Sequence, residues 1–391
     1  MGYAMVMGEA LIDLLEADVG GERVYRQAIG GAPLNVAVGV ARLGGDARYA
    51  GTLSDDVLGD RIAAFLRAAG VGDRSVRRVP VPTTLAVTTF EGAEPTFTFY
   101  GEPPSYALLG PADLDPAEIA AASVLYTGSI CLLREPFLTA ARAAWSTLPV
   151  AASDSVPADP TPPRTAAAPE TAALGSAAPA TAAGSGTAAG SGTAAGSGTA
   201  ALGSAMSGTA AVSGTAASGS AGSAAPGPAP LRVFDPNVRP TLLPDTAAVN
   251  ALRELVEEFF ATADLVKLSA ADAVILYGES DPAAAAARIR DLGAATVVVT
   301  CGAKGAHVAT HDGATTLPAP VVDAIDATGA GDSVMAALIS RLLAEGRPGD
   351  LPGWVRHVSF ALSVAGLVCE RQGGATAMPT PADLKARWGS F

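Results

Sequence analysis

Asp326 to Leu338 reads DATGAGDSVMAAL, and no other stretch of the chain is as well equipped for chemistry. Three small residues, Gly329, Ala330 and Gly331, open what the apolar pattern behind them marks as a helix, with Asp332 in its first turn. Unpaired N–H groups and the positive end of the dipole make such a helix start an anion site. Glycine lets a ligand approach the backbone closely. A carboxylate beside that site can take a proton from a hydroxyl while the amides hold a phosphoryl group. The same letters also fit a Gly-rich turn into an N-capped helix, where an early Asp is ordinary.

Two further stretches invite ligands. IGGAPLNVAVGVARLGG, from Ile29 to Gly45, runs from Gly30 and Gly31 into a helix that carries Asn35 in its first turns. Backbone N–H groups and an Asn amide suit sugar hydroxyls, although a helix start with a solvent-facing Asn explains the same pattern. TCGAKGA, Thr300 to Ala306, follows the apolar TVVVT, and a Gly-containing loop at a strand's C-terminal end is where open α/β sheets bind ligands. A plain turn into a hairpin fits it equally. Asp13 in GEALIDLL and Arg239 in FDPNVRP are isolated charges near strand ends, and an Arg there can hold a carboxylate or phosphate.

Other chemistries are set aside. The chain has 38 acidic against 25 Lys and Arg residues, a net charge of −13, the wrong sign for a nucleic-acid binder. Its 3 cysteines form no CxxC pair and read as buried thiols in a reducing compartment. The 3 histidines form no HExxH metal site, and no GxxxxGK[ST] phosphate loop occurs. The start, MGYAMVMGEALIDLLE, has no basic region and does not read as a signal peptide. The apolar run Phe360 to Val368 is short for a bilayer span. A cytoplasmic protein without membrane or nucleic-acid partners is expected.

Elements able to position these residues alternate along the chain. Ala4–Gly8 reads as a strand, Pro33–Leu43 as a helix, ARYAGT as a strand and Gly59–Ala69 as a helix closed by Gly70. Thr84–Phe90 and Pro95–Tyr100 alternate with period two, as paired half-exposed strands do, and are expected to form a small separate flap. Strand Ser123–Ile130, helix Pro136–Trp145 and strand Leu231–Asp235 continue the rhythm. Helix Ala247–Thr262, strand LVKL, helix Pro282–Leu292 and strand Thr296–Thr300 follow, then helices at about 329–345 and 354–371. Repeated βα units imply an α/β fold with a mostly parallel sheet covered on both faces.

From about 152 to 230 the rhythm stops. Residues 171–230 contain no charged or aromatic side chain, and TAAGSG repeats three times from Thr181. Such a composition cannot offset its own ordering entropy. It is read as a low-complexity insertion within one domain built from 1–151 and 231–391.

Taken in order, GEALIDLL, GGAPLNVAVGVARLGG, FDPNVRP, the KLS of Lys267–Ser269, TCGAKGA and DATGAGD resemble the PfkB, or ribokinase-like, carbohydrate kinases. Within that family the chain is most similar to bacterial fructokinases and 2-keto-3-deoxygluconate kinases. The motifs cover the whole chain except about 152–230. The resemblance implies a ribokinase-like fold and ATP-dependent transfer of the γ-phosphate to a hydroxyl of a ketose, fructose first. The alternatives are 2-keto-3-deoxygluconate and a non-catalytic member that binds without turnover. The flap sequence TFTFY is aromatic rather than basic, which tilts the choice towards a neutral sugar.

It also implies roles. Asp332 would be the catalytic base, and Gly329, Ala330 and Gly331 the anion hole. Asp13, Gly30, Gly31 and Asn35 would hold sugar hydroxyls, with Phe99 and Tyr100 approaching from the flap and Arg239 facing the substrate or its nascent phosphate. Ser269, Thr300, Gly302 and Gly305 would line the ATP site. Asp326 and Thr328 would hold a monovalent cation such as K+, and Mg2+ would arrive with ATP. Relatives often pair their flaps to form dimers, and the hairpin here would allow a homodimer through the flap, with a monomer as the alternative. Two positions depart from the family pattern: Ala327, where Thr is usual, and Leu362, in place of an Asn near the adenine.

Overall fold

In the computed structural model the described residues are 2–91, 94–148 and 229–389, and they fall within one compact unit spanning 1–153 and 226–391. All but the last two residues of the expected insertion lie outside the described residues. In chain order the first half contains β1 (Ala4–Met7), β2 (Leu11–Val19), β3 (Glu22–Gly30), α1 (Ala32–Arg42), β4 (Ala47–Ser54) and α2 (Val57–Ala68). Then come β5 (Val76–Val79), β6 (Leu85–Glu91), β7 (Glu94–Tyr100), α3 (Pro116–Ala120), β8 (Val124–Gly128) and α4 (Phe137–Thr147). The second half contains β9 (Leu231–Asp235), α5 (Thr246–Phe260), β10 (Leu265–Ser269), α6 (Ala270–Tyr277), α7 (Pro282–Asp291) and β11 (Val297–Thr300). A hairpin, β12 (Ala306–Thr310) with β13 (Gly313–Leu317), precedes α8 (Ala330–Glu345), α9 (Leu351–Cys369) and α10 (Pro381–Trp388).

Nine strands form the central sheet in the order β13-β12-β11-β10-β9-β8-β1-β4-β5. It is parallel from β5 to β11, and only the β12–β13 hairpin runs antiparallel. Alternation divides its side chains between two cores. Met5, Met7, Leu125, Phe234 and Val299 pack on one face among residues of α4, α5, α6 and α7. Ala4, Val6, Tyr126, Val233 and Val298 pack on the other among residues of α1, α2, α8 and α9. This is the mostly parallel, doubly covered sheet that the βα rhythm implies.

Helix starts are encoded locally. Asp56, Asp245, Asp281 and Asp350 are the N-caps of α2, α5, α7 and α9, and each side chain accepts a first-turn amide, which satisfies one of the orphan donors there. Among the described residues one helix, α9, is long and apolar enough to cross a membrane. It contains Arg356 and His357, and residues along its length, Trp354 to Leu367, are buried in the core shared with α8. Leu362 belongs to that core, away from the cleft that the resemblance placed near it.

The flap is larger than expected. Besides β6 and β7 it includes the β2–β3 hairpin, in the order β3-β2-β6-β7, with β2 parallel to β6 and the other neighbours antiparallel. The hairpin turns at Gly20 and Gly21, whose φ angles are 68° and 87°, a conformation that glycine adopts at little steric cost. Asp13 therefore sits within a flap strand.

The strands point their C-terminal ends the same way, and the loops that follow carry the residues singled out for chemistry. Leu231 begins β9 at the other end of the sheet. The Leu231 amide donates to the Ser123 carbonyl at 2.9 Å, so the chain re-enters the sheet level with the start of β8.

Candidate active site

A cleft of about 1140 Å³ opens over the C-terminal ends of β1, β8, β9, β10 and β11 and under the flap. The chain runs from β1 to β4 on one side and later crosses to β8 on the other, so the cleft covers the switch point where open α/β sheets bind ligands. Among the predicted residues Asp13, Gly30, Gly31, Asn35, Phe99, Arg239, Ser269, Thr300, Gly302, Asp326, Thr328, Gly329, Gly331 and Asp332 line it.

Asp332 is buried in the first turn of α8. Its Oδ2 accepts from Asn35 Nδ2 at 2.7 Å and its Oδ1 from Asn237 Nδ2 at 3.4 Å. Gly329 takes φ 76° and lies against Gly374, whose Cα would be 2.8 Å from any added Cβ. The Ala330 amide donates to Ala327 O at 3.1 Å, and the Ser333 amide to Gly329 O. The amides of Gly329, Gly331 and Asp332 have no acceptor among the described residues. The Ala330 N–H, expected to be open for an anion, instead closes the preceding turn, and the Asp332 amide is left open beside its own carboxylate.

The flap side of the cleft is built by strand alternation. Asp13 on β2 lies opposite Ala28 on β3 and Ala86 on β6, and Ala86 lies opposite Phe99 on β7. These residues share the face that covers the cleft. Tyr100 does not. One residue along, it pairs with Leu85 on the other face and is 55% exposed, so period two forbids Phe99 and Tyr100 from pointing inward together. The same face brings Arg26 of β3 to the cleft, a flap cation that TFTFY alone does not reveal.

Gly30 and Gly31 leave room that a side chain would fill. A Cβ on Gly30 would lie 1.9 Å from Asp13 Oδ2, and one on Gly31, at φ 110°, would lie 2.4 Å from the Glu9 carbonyl. Beneath them Glu9 is buried, its Oε1 accepting from the Ala32 amide at 3.2 Å and Ser129 Oγ at 2.7 Å. Three cleft-lining residues keep a buried polar atom without a partner: Glu9 Oε2, Asn35 Oδ1 and Thr88 Oγ1. Such orphans are rare in native interiors and mark a place where a polar ligand fits.

Burial sets the electrostatics. It pushes the Asp13 carboxyl up to about 6, with Arg239 opposing and Asp332 and Glu9 adding. It also raises Glu9, against the hydrogen bond from Ser129. Lys267 Nζ stands 2.7 Å from Asp235 Oδ2, with side chains 4% and 0% exposed. Burial disfavours the ammonium, and the charges of Asp235, Asp332 and Asp272 overcome it and hold its pKa above the ordinary lysine value. The same ammonium would be 3.0 Å from a Cβ on Gly331, so a cation lies directly beneath the amide turn.

At the other end of the cleft, Ser269 caps α6, accepting from the Asp272 amide at 3.0 Å, and Gly302 turns at φ 56°. Gly305 does not line the cleft. At φ 96° it closes the loop against Leu317, whose carbonyl would be 1.9 Å from a Cβ, and its amide donates to Gly302 O. Asp326 accepts from the amides of Thr328 at 2.9 Å and Gly373 at 2.8 Å. Burial would raise its pKa, and these bonds more than offset that and hold it low. Its carboxylate thus ties the 325–329 segment to the loop after α9.

Sequence reasoning missed the participation of Glu9, Asn237 and the Asp235–Lys267 pair, although each falls in a motif it quoted. Asn237 sits between Asp235 and Arg239 in FDPNVRP, and it is one of two described non-Gly residues with positive φ, at 40°. Such a backbone is tolerated best by Asn and Asp, which is the local signal that was available.

Comparison with known proteins agrees with this geometry. The pattern of the pfkB family carbohydrate kinases matches residues 1–183 and 214–381. A fructokinase of Klebsiella pneumoniae is 28% identical over 388 residues, covering 98% of both chains. The fold is shared with the fructokinase of Vibrio cholerae O395 in its fructose, ADP and calcium ion bound form, at TM-score 0.70 and 23% identity, covering 99% of this chain and 98% of that one. It is shared too with the aminoimidazole riboside kinase of Salmonella enterica complexed with aminoimidazole riboside and an ATP analog, at TM-score 0.68 and 22% identity, covering 99% and 100%. The chain belongs to the pfkB family of carbohydrate kinases and is a phosphotransferase with an alcohol group as acceptor.

Proposed function

We propose that the protein transfers the γ-phosphoryl group of ATP to a hydroxyl of a neutral ketose, fructose being the first candidate. The observation that carries this reading is the Asp332 carboxylate, held by Asn35 at 2.7 Å, on the turn whose Gly329, Gly331 and Asp332 amides lack acceptors. In this mechanism Asp332 takes the proton of the sugar hydroxyl as its oxygen bonds to the γ-phosphorus and the bond to the β-phosphate oxygen breaks. Phosphoryl transfer needs little more than positioning and charge stabilisation. The three amides and the Lys267 ammonium beneath them supply positive potential where charge gathers.

Asp13 would accept sugar hydroxyls, and the orphan atoms of Glu9, Asn35 and Thr88 offer further polar partners at this end. Phe99 would cover one face of the sugar. Ser269, Thr300 and Gly302 would line the nucleotide end. Among the described residues no group of three or more His, Cys, Asp or Glu could hold a metal ion, which suits a Mg2+ carried by the phosphates and water. A K+ near Asp326 and Thr328 would be held by backbone carbonyls, since the Asp326 side chain is engaged by two amides. Residues 1–151 and 231–391 act as one catalytic domain in this reading, in the cytoplasm.

One observation favours the acidic alternative. Arg26 and Arg239 both line the cleft, and either guanidinium could take the carboxylate of 2-keto-3-deoxygluconate. Glu9, Asp13 and Asp332, three of the acidic residues that line the cleft, weigh against an anionic sugar. ADP release with Mg-ATP over fructose, 2-keto-3-deoxygluconate, glucose, ribose and a nucleoside decides. Turnover is expected with fructose; turnover confined to the keto acid moves the assignment, and silence with ATP still bound removes the catalytic reading.

The Asp13 carboxyl gives this reading a pH signature. Ionised, it accepts two hydroxyls; protonated, it loses that capacity. The KM for the sugar is expected to rise as pH falls through about 6, and Asp13→Asn should lack that limb while binding sugar weakly throughout. A KM that is flat from pH 7.5 to about 5 in the wild-type protein removes Asp13 from sugar recognition. Because the folded pKa lies above the unfolded value of about 4, the group favours the folded state most at low pH. That contribution fades as pH rises through the folded pKa.

A further inference from the structure

Asn237 stands between two charged residues of the cleft. Its Oδ1 accepts from Arg239 Nη1, and its Nδ2 donates to Asp332 Oδ1 at 3.4 Å. Its own amide donates to Asp235 Oδ1 at 3.0 Å, which ties it to the buried Asp235–Lys267 pair. It is buried and held at φ 40°. The only other bond of the Arg239 guanidinium to a described residue is a long one, 3.4 Å, to the neighbouring Val238 carbonyl.

A guanidinium within reach of a carboxylate prefers it to a neutral amide, because charge-assisted pairs are shorter and about twice as strong. Arg239 and Asp332 line the same cleft, and the one Asn237 amide bonds to both. A direct pair would hold the carboxylate on the cation and favour its ionised form, which makes it a weaker acceptor of the substrate proton. We propose that Asn237 is a positioning residue that parks Arg239 and keeps Asp332 open as the base. An amide suits this because it offers an acceptor to the cation on one side and a donor to the carboxylate on the other. Neither an Asp, without a donor, nor a Lys, without an acceptor, can do both. The inference rests on the reading of Asp332 as the base.

Asn237→Gly keeps the left-handed backbone and deletes the amide. The expected result is a fall in kcat of about a hundredfold, the usual consequence of a misplaced reacting group, with the KM for ATP unchanged. A crystal structure of the variant should show the Arg239 guanidinium on Asp332. Adding Arg239→Gln, which by itself lowers activity, should then raise the kcat of the Asn237→Gly protein by about tenfold, the share of the loss that the trapped base accounts for. A purely structural role for Asn237 makes the two losses accumulate, and a double variant slower than Asn237→Gly overturns the proposal, as does an Asn237→Gly protein with wild-type kcat. If Asn237→Gly does not fold, Asn237→Ser with and without Arg239→Gln makes the same comparison. An inactive Asp332→Asn beside an absent rescue removes the spacer alone, and an active Asp332→Asn removes the base reading beneath it.

Discussion

Asp332→Asn is expected to keep the fold and lower kcat by about a hundredfold to ten-thousandfold, the range over which a positioned base contributes. The substitution leaves the amides of Gly329, Gly331 and Asp332 where they are, so ATP should bind with little change. It preserves volume and keeps an oxygen for Asn35 Nδ2, now at 2.7 Å from Asp332 Oδ2. What disappears is the capacity to take a proton from the sugar hydroxyl. Steady-state kinetics beside a thermal melt separate the two effects: a large loss in kcat with an unchanged melting temperature is the predicted pattern. A variant with near-normal kcat would mean that the proton leaves by another route, to water or to the phosphoryl group itself.

The largest effect on stability is expected at Lys267. Asp235 is fully buried and its partner ammonium is 2.7 Å away. Lys267→Met leaves that carboxylate without a counter-charge, and breaking such a pair from one side costs about 3 to 5 kcal/mol. The pH dependence carries its sign. Burial already pushes the Asp235 carboxyl up, and without Lys267 it is raised further above its unfolded value. The variant should therefore lose stability as pH rises above about 4 and recover part of it in mild acid. Asp235→Asn in the Lys267→Met background should restore part of it at neutral pH. Urea midpoints for the wild type, Lys267→Met, Asp235→Asn and the double variant measure the coupling, and additive losses would show that the pair is held by its surroundings rather than by its charges.

How far the site could be read in advance depended on distance along the chain. The DATGAGD turn, the Gly30–Gly31 pair and the loop after β11 are local, and each brings residues to the lining of the cleft. The β2–β3 hairpin was not read, because LIDLLEADV mixes charges into both faces and its alternation is weak. Its Gly20–Gly21 turn was the better clue, since two adjacent left-handed residues favour a tight hairpin. Tyr100 was misplaced for the opposite reason: the strand was read correctly and its alternation was not followed to the last residue. Ala330 and Gly305 were carried in by motif, and only the hydrogen bonds of their turns show that neither faces the cleft. Asn35 and Asn237 reach Asp332 across 297 and 95 residues of sequence. No local pattern records such a meeting.

The direction of the parallel strands has a consequence for the protein's history. Cleft-lining residues cluster after the C-terminal ends of β1, β8, β9, β10 and β11, whereas Leu231 rejoins the sheet beside Ser123, where β8 begins. Growth at that seam lengthens the chain without asking any reacting group to move. It is a place where genetic additions can accumulate under weak selection, and where a reporter domain could be spliced with the catalytic clockwork left running.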